Sequence, residues 1–396
     1  MSQILGKTVY LLGAGASVHA GTPLLADFLA RARELPYRTK NISCRESFDR
    51  VFRWIEELKR ASYYIDINLD NLEHVFSMAD LGRQIGVTDC DQHFSDLRKM
   101  IAEVLDHCEL RQLRSGSEPF DKGYWAFLQR LKQCNDARNQ KTRLGEAFSA
   151  DSVITFNYDI LLDDAWEAPE LAFPLTYSLN DASFDESQPY LLLKLHGSTN
   201  WAYCSECGTV DPLKVSSLRT DCVSKEEVVS GRPGVADTTI ITLRATKLTT
   251  GDHECRICGK STEREPLIIP PTWSKQVADS PLVPVWKRAV REVTQANQLV
   301  IIEYSLPATD TFLQYLMALG ACHNEALQRV VVVNNDGSDA FRSRYRQLFS
   351  RSLSERRGLI FIAAPFTLFC REIMQHINAD RQELTEAAEV DGSQVA

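Results

Sequence analysis

The chain lacks any run of about 18 uninterrupted apolar residues, so nothing in it reads as a membrane-spanning helix. It also lacks a cleavable signal pattern: MSQILGKTVYLLGAG runs straight into a strand, and the cytoplasm is the expected location. Basic charge is the minority, with 44 Lys and Arg against 53 Asp and Glu and a formal net charge of −9. A protein that grips nucleic-acid phosphates carries a basic field, so direct nucleic-acid binding is not expected. No internal repeat or low-complexity tract is present. What remains is a chain of 396 residues, 44% hydrophobic and 24% charged, able to bury the cores of two or three domains. Its eleven cysteines are an odd number, and without a secretion signal they read as thiols or metal ligands instead of a disulfide framework.

Short apolar runs recur at Thr8–Leu12, Val153–Phe156, Leu191–Leu195, Leu299–Ile302, Val330–Val333 and Leu359–Ile362. Runs without polar alternation are the mark of strands buried on both faces, and several precede helical patterns. The expected fold is therefore α/β, a doubly wound, mostly parallel, Rossmann-like sheet. Its core should comprise 1–40, 149–203 and 263–380. A helical insertion is expected at 41–148, where Phe48, Val51, Phe52, Ile55 and Leu58 recur at helical spacing. A second insertion, 204–262, is bounded by two CxxC pairs, and the acidic tail 381–396 is expected to be flexible.

Five strand ends carry residues that suit chemistry. After the first strand, Gly13-Ala14-Gly15-Ala16-Ser17 allows close backbone approach to a diphosphate, or forms a tight turn with no ligand. It is not the GxGxxG fingerprint, since Val18 takes the third glycine position, and Gly6-Lys7-Thr8 precedes the strand and is no P-loop. After the second strand, Asn157 and Asp159 either face the ligand crevice or serve as a turn residue and a helix cap. His196, in Lys194-Leu195-His196-Gly197-Ser198, suits a general base, though a lone histidine is often structural. Ser305 and Asn334 follow later strands and could hold a ribose or adenine, or merely form turns. Separately, Cys204, Cys207, Cys255 and Cys258 offer four thiolates, the ligand set of a closed tetrahedral zinc site; thiol redox chemistry and unliganded cysteines are the alternatives. Cys222 and His253 are spare ligands nearby.

Taken in order, GAGAS, TFNYD, KLHGS, the two CxxC pairs, YSLPATD and VNND resemble the sirtuin family over about residues 4–365, apart from the two insertions. The resemblance implies an NAD site in which Gly13, Ala14, Gly15 and Ser17 form the diphosphate turn. Asn157 would lie beside the nicotinamide ribose, Asp159 would recognise the carboxamide and His196 would be the catalytic histidine. Ser305 would contact phosphate or ribose, Asn334 the adenosine side, and the four cysteines would hold a structural zinc. Protein deacylases of the family carry an Asp-Phe-Arg run after the glycine turn and a glycine- and valine-rich edge after the zinc module. This chain has neither: Thr22–Arg31 lacks the tripeptide, Pro266–Trp273 reads PLIIPPTW, and Glu303 stands where glycine is usual.

The pattern is more similar to the sirtuin-like NAD hydrolases of bacterial anti-phage systems. That resemblance implies cleavage of NAD to nicotinamide and ADP-ribose, homo-oligomers, and control by a partner such as a HerA-type ATPase or a short Argonaute. The alternatives carried forward are an NAD-dependent protein deacylase and a non-catalytic NAD or ADP-ribose sensor. The helical insertion reads as a lid or packing domain, or as an oligomer or partner surface. Within it Asp70–Phe76 resembles a segment of the defence enzymes, which would turn Glu73 or His74 toward the pocket, while Leu72, Val75 and Phe76 suit burial.

Overall fold

A computed structural model describes residues 6–38, 42, 44–61, 67–110, 122–141, 150–168, 171, 175–179, 190–215, 219–226, 241–246, 252–263, 266–269, 280–306, 311–322, 324–349, 353 and 358–392. In chain order the strands are β1 (Thr8–Leu12), β2 (Ser152–Thr155), β3 (Leu175–Thr176), β4 (Tyr190–Lys194), β5 (Gly197–Tyr203), β6 (Val210–Pro212) and β7 (Arg219–Glu226). They continue as β8 (Ile241–Thr246), β9 (Asp252–Glu254), β10 (Ser261–Glu263), β11 (Pro266–Ile268), β12 (Gln298–Ile302), β13 (Arg329–Asn334) and β14 (Leu359–Ala363).

Seven of these form one parallel sheet in the order β14-β13-β12-β1-β2-β4-β3. Alternate residues of each strand enter opposite apolar layers. Tyr10, Leu12, Val153, Val300 and Val331 face one side. Val9, Leu11, Ile154, Leu299 and Val330 face the other. Burial on both faces explains the uninterrupted apolar runs. From β1 the chain builds outward through β2 and β4, then returns to the opposite side of β1 with β12. The carboxyl ends of β1 and β12 therefore meet at the point where strand order reverses, and an open α/β sheet binds its ligand at such a point.

Packing divides the helical stretch differently from the expected 41–148. Helices α1 (Leu25–Arg38), α2 (Arg45–Ala61), α3 (Leu72–Gln84) and α4 (Cys90–Leu110) share one core, in which Phe28, Phe48, Val51, Ile55, Val75, Phe76 and Ile101 are buried. Helix α5 (Lys122–Lys141) instead sends Tyr124, Phe127, Leu128 and Leu131 into the layer beneath Tyr10 and Val153. Its Arg138 bonds both the Gly6 carbonyl and the buried Asp151 carboxylate at the start of β2. Thus α1 joins the helical unit and α5 joins the sheet, because each follows its apolar face.

The tail also departs from expectation. Residues Arg381–Gly392 form a helix, and Leu384 is fully buried against the sheet layer. Leu384, with Ala388 partly buried beside the same layer, anchors a segment whose composition is acidic and polar. Residues 393–396 lie outside the described part, as do the whole stretch between β7 and β8, Pro270–Trp273, Pro307–Asp310, and the side chains of Cys222 and His253. No helix among the described residues is long and apolar enough to cross a membrane.

Candidate active site

Gly13 follows β1 directly and its N–H donates to the Ile302 carbonyl at the end of β12 (2.9 Å). A Cβ on Gly13 would sit 2.4 Å from the Glu303 carbonyl oxygen and 2.6 Å from the Tyr304 Cα, so only glycine lets the two strand ends touch. Gly15 N–H donates to the Glu303 carbonyl (3.2 Å). Both amides are thus engaged in the stitch across the strand ends. The helix that opens here, Ala14–Ala20, is a 3₁₀ segment. What the turn offers the crevice is close access along Ala14 and Gly15, both of which line the cavity described below.

Asn157, just past β2, is buried and its amide is oriented by three acceptors. Nδ2 donates to the Gly13 carbonyl (3.0 Å) and Ser17 Oγ (3.0 Å), with Tyr124 Oη at 3.4 Å. Its Oδ1 is buried and makes no hydrogen bond within the protein. A buried acceptor left without a partner costs about 1–3 kcal/mol, a cost that a bound hydroxyl or water would remove. Ser17 is buried too: it donates to Asp159 Oδ2 (2.7 Å) and lies 2.7 Å from Tyr124 Oη. Asp159 Oδ1 accepts Leu161 N–H (3.2 Å) at the start of the following helix, whose N-cap residue is Ile160, and Asp159 also lines the cavity. Burial pushes its carboxyl above the ordinary carboxylate range, against the opposing pull of Lys194 and the Ser17 hydrogen bond. Lys194 Nζ fixes this corner by donating to the Asp159 carbonyl (2.6 Å) and to Asp163 Oδ2 (2.8 Å).

His196 lies between β4 and β5, buried against the Phe156 and Tyr158 rings at centroid distances of 5.1 and 5.9 Å. Its carbonyl accepts Ile269 N–H (2.8 Å). The next residue, Gly197, has φ +85°, and a Cβ there would come within 2.0 Å of the Leu267 carbonyl oxygen. The turn that presents the imidazole and the antiparallel pairing of β5 with β11 therefore both depend on that glycine.

These strand ends enclose a cavity of about 300 Å³. Asn157, Asp159 and His196 line one end, over β2 and β4; Glu303, Ser305 and Asn334 line the other, over β12 and β13. Asn334 Oδ1 accepts Asp336 N–H (2.8 Å). Helices α1, α3 and α4 supply an apolar roof of Leu25, Phe28, Leu72, Ile101 and Leu105, together with the carboxyl-bearing Glu73. The helical unit thus covers the pocket, and of the pair Glu73 and His74 it is Glu73 that lines it. Glu303 is a third carboxyl in the wall, beside Asp159 and Glu73; burial pushes it up to about 7 despite amide hydrogen bonds from Phe366 and Asn335.

Cys204, Cys207, Cys255 and Cys258 bring their sulfurs within 4.8 Å of one another. Tetrahedral zinc, with Zn–S bonds of about 2.3 Å, sets sulfurs about 3.8 Å apart. The separations here are 3.7 Å for Cys204 to Cys258 and 3.5 Å for Cys207 to Cys255. Both knuckles fold alike: the carbonyls of Cys204 and Cys255 accept Gly208 and Gly259 N–H, and their own amides donate to Thr209 and Lys260. Four thiolates fit a structural zinc that would cross-link the ends of β5–β6 and β9–β10, with no coordination position left for catalysis.

Sequence reasoning missed Tyr124, whose surroundings GYWAFLQRL carry only core periodicity. It also did not foresee that β11 is closed off: Arg98 of α4 donates to the Pro266 carbonyl on the edge strand of the β11-β5-β6 sheet. No protein-family model matches the sequence, and no curated protein matches it. Among solved structures the chain is similar to Sir2Tm bound to a propionylated peptide, with 12% identity, a TM-score of 0.40 and 94% of each chain covered. It is also similar to Sir2 in complex with the inhibitor EX-527, 2′-O-acetyl-ADP-ribose and a deacetylated p53 peptide, with 13% identity and a TM-score of 0.37; 94% of this chain and 95% of that one are covered.

Proposed function

We infer that this protein hydrolyses NAD at the bond between nicotinamide and ribose. The observation that carries the reading is the buried Asn157 Oδ1, without a partner in the protein, on the wall of the same cavity as His196. An acceptor fixed by its own Nδ2 hydrogen bonds can hold the attacking water or a ribose hydroxyl, and an imidazole in the same cavity can take the proton released. Nicotinamide departs as a neutral molecule, so no acid is required; the products are nicotinamide, ADP-ribose and one proton. Asp159, held by Ser17 and Leu161, would receive the carboxamide N–H group. The apolar roof from α1, α3 and α4 would exclude bulk water and leave the single nucleophile in place.

Hydrolysis is favoured over transfer to an acyl-lysine peptide by the state of β11. The edge a peptide strand would pair with is packed by α4, and Arg98 occupies the Pro266 carbonyl. The motif resemblance to anti-phage enzymes extends the proposal to NAD depletion in defence, controlled by homo-oligomerisation or by a HerA-type ATPase or short Argonaute partner. Incubation with NAD, with and without an acetyl-lysine peptide, tests the reading. Equal release of nicotinamide and ADP-ribose in both supports it. Release only with peptide, giving an acetylated ADP-ribose, would assign a deacylase, and binding without any product would assign a sensor.

A further inference from the structure

Glu303 holds a backbone conformation that few non-glycine residues adopt, with φ +51° immediately after β12. For a residue bearing a Cβ this conformation is strained, and surrounding contacts must pin it. They do so on every side. Its N–H donates to the Val333 carbonyl (2.8 Å), its carbonyl accepts Gly15 N–H, and Oε1 accepts Phe366 N–H (3.2 Å). Gly15 leaves the space the side chain fills, since a Cβ there would lie 2.9 Å from both Glu303 Cβ and Oε2. Among the described residues no Lys or Arg forms an ion pair with this carboxyl.

This half-buried carboxyl accepts the Phe366 and Asn335 amides and is rigidly aimed. It lines the β12–β13 end of the cavity beside Asn334, while Asn157 and His196 line the β2–β4 end, with the glycine turn between them. A dinucleotide lying with its nicotinamide ribose at the Asn157 end would cross the turn and place its second ribose at Glu303. Above about pH 7, where this group is ionised, a carboxylate accepts hydrogen bonds from a vicinal diol and repels a phosphate ester at the same position, so binding is compared there.

We propose that Glu303 reads the adenosine ribose, accepting its free hydroxyls and rejecting a dinucleotide that carries a 2′-phosphate there. This rests on the dinucleotide reading of the site and assigns it a specificity determinant. The test is calorimetric binding of ADP-ribose and of its 2′-phosphate to the wild-type protein, Glu303→Gln and Glu303→Gly. The glycine variant suits the left-handed backbone, which separates loss of the carboxyl from loss of the fold. Wild type should prefer ADP-ribose by roughly 100-fold, and both variants should narrow that preference at least about tenfold, chiefly by gaining affinity for the phosphorylated ligand. An unchanged preference with ADP-ribose still bound would overturn the role of Glu303 and leave the dinucleotide reading standing. Failure of the wild type to bind either ligand would overturn both.

Discussion

Tyr124 and Ser17 lie 2.7 Å apart, oxygen to oxygen, inside the sheet core. With Asp159 ionised, Ser17 must donate to it, so the tyrosine hydroxyl donates to Ser17. A residue of α5 thereby sets the rotor of the serine that holds both Asn157 and Asp159. Tyr124→Phe removes one donor and no ring volume. It should lower the turnover of NAD about tenfold, equivalent to about 1.4 kcal/mol, with KM nearly unchanged, as steady-state kinetics would show. A proportional rise in KM at constant kcat would mean that the hydroxyl serves binding instead.

Gly197→Ala should be among the most damaging single-atom additions. The new Cβ would collide with the Leu267 carbonyl at a φ that L-residues avoid, so β11 must separate from β5 or the His196 turn must reshape. A loss of roughly 2 kcal/mol or more is expected, read as a fall in the denaturant midpoint, accompanied by loss of activity.

Metal analysis should find one zinc per chain. Cys204→Ser or Cys255→Ser, each removing a buried ligand, should lower zinc content and thermal stability together. Because four thiolates close the site, catalytic defects should track the lost stability and should not be rescued by adding other divalent ions to the folded enzyme.

Glu303 gives stability a pH dependence of calculable sign. Its folded carboxyl binds a proton with a pKa of about 7, against 4.5 in a solvated chain. Between those values the folded state holds more protons than the unfolded state, so this contribution is full below about 4.5 and is lost as pH rises through about 7. The melting temperature of the wild type should therefore fall relative to that of Glu303→Gln across this window.

The six parallel strands that carry the core were readable because both faces of the sheet are buried and each strand is a plain apolar run, as in VVVV of β13. The two-residue β3 has no such run and was invisible. Asn157 and His196 could be singled out as candidates because polar groups there interrupt an apolar pattern, and the structure puts both on the wall of one cavity. Tyr124 was not, since a tyrosine among Trp125, Phe127 and Leu128 looks like core until its hydroxyl is seen to reach Ser17. The boundary between α1 and the sheet domain was also hidden, because chain proximity to β1 says nothing about which core Phe28 enters.

The central claim, that Asn157 and His196 act together on NAD, is tested most directly by one rate comparison. Nicotinamide release from NAD, without any acylated peptide, should be measured for the native assembly of the wild type and of Asn157→Ala, with His196→Ala alongside. A fall on the order of 10² to 10⁴ in both variants, with folding intact by circular dichroism, is the expected result. Release by Asn157→Ala at the wild-type rate would contradict the account.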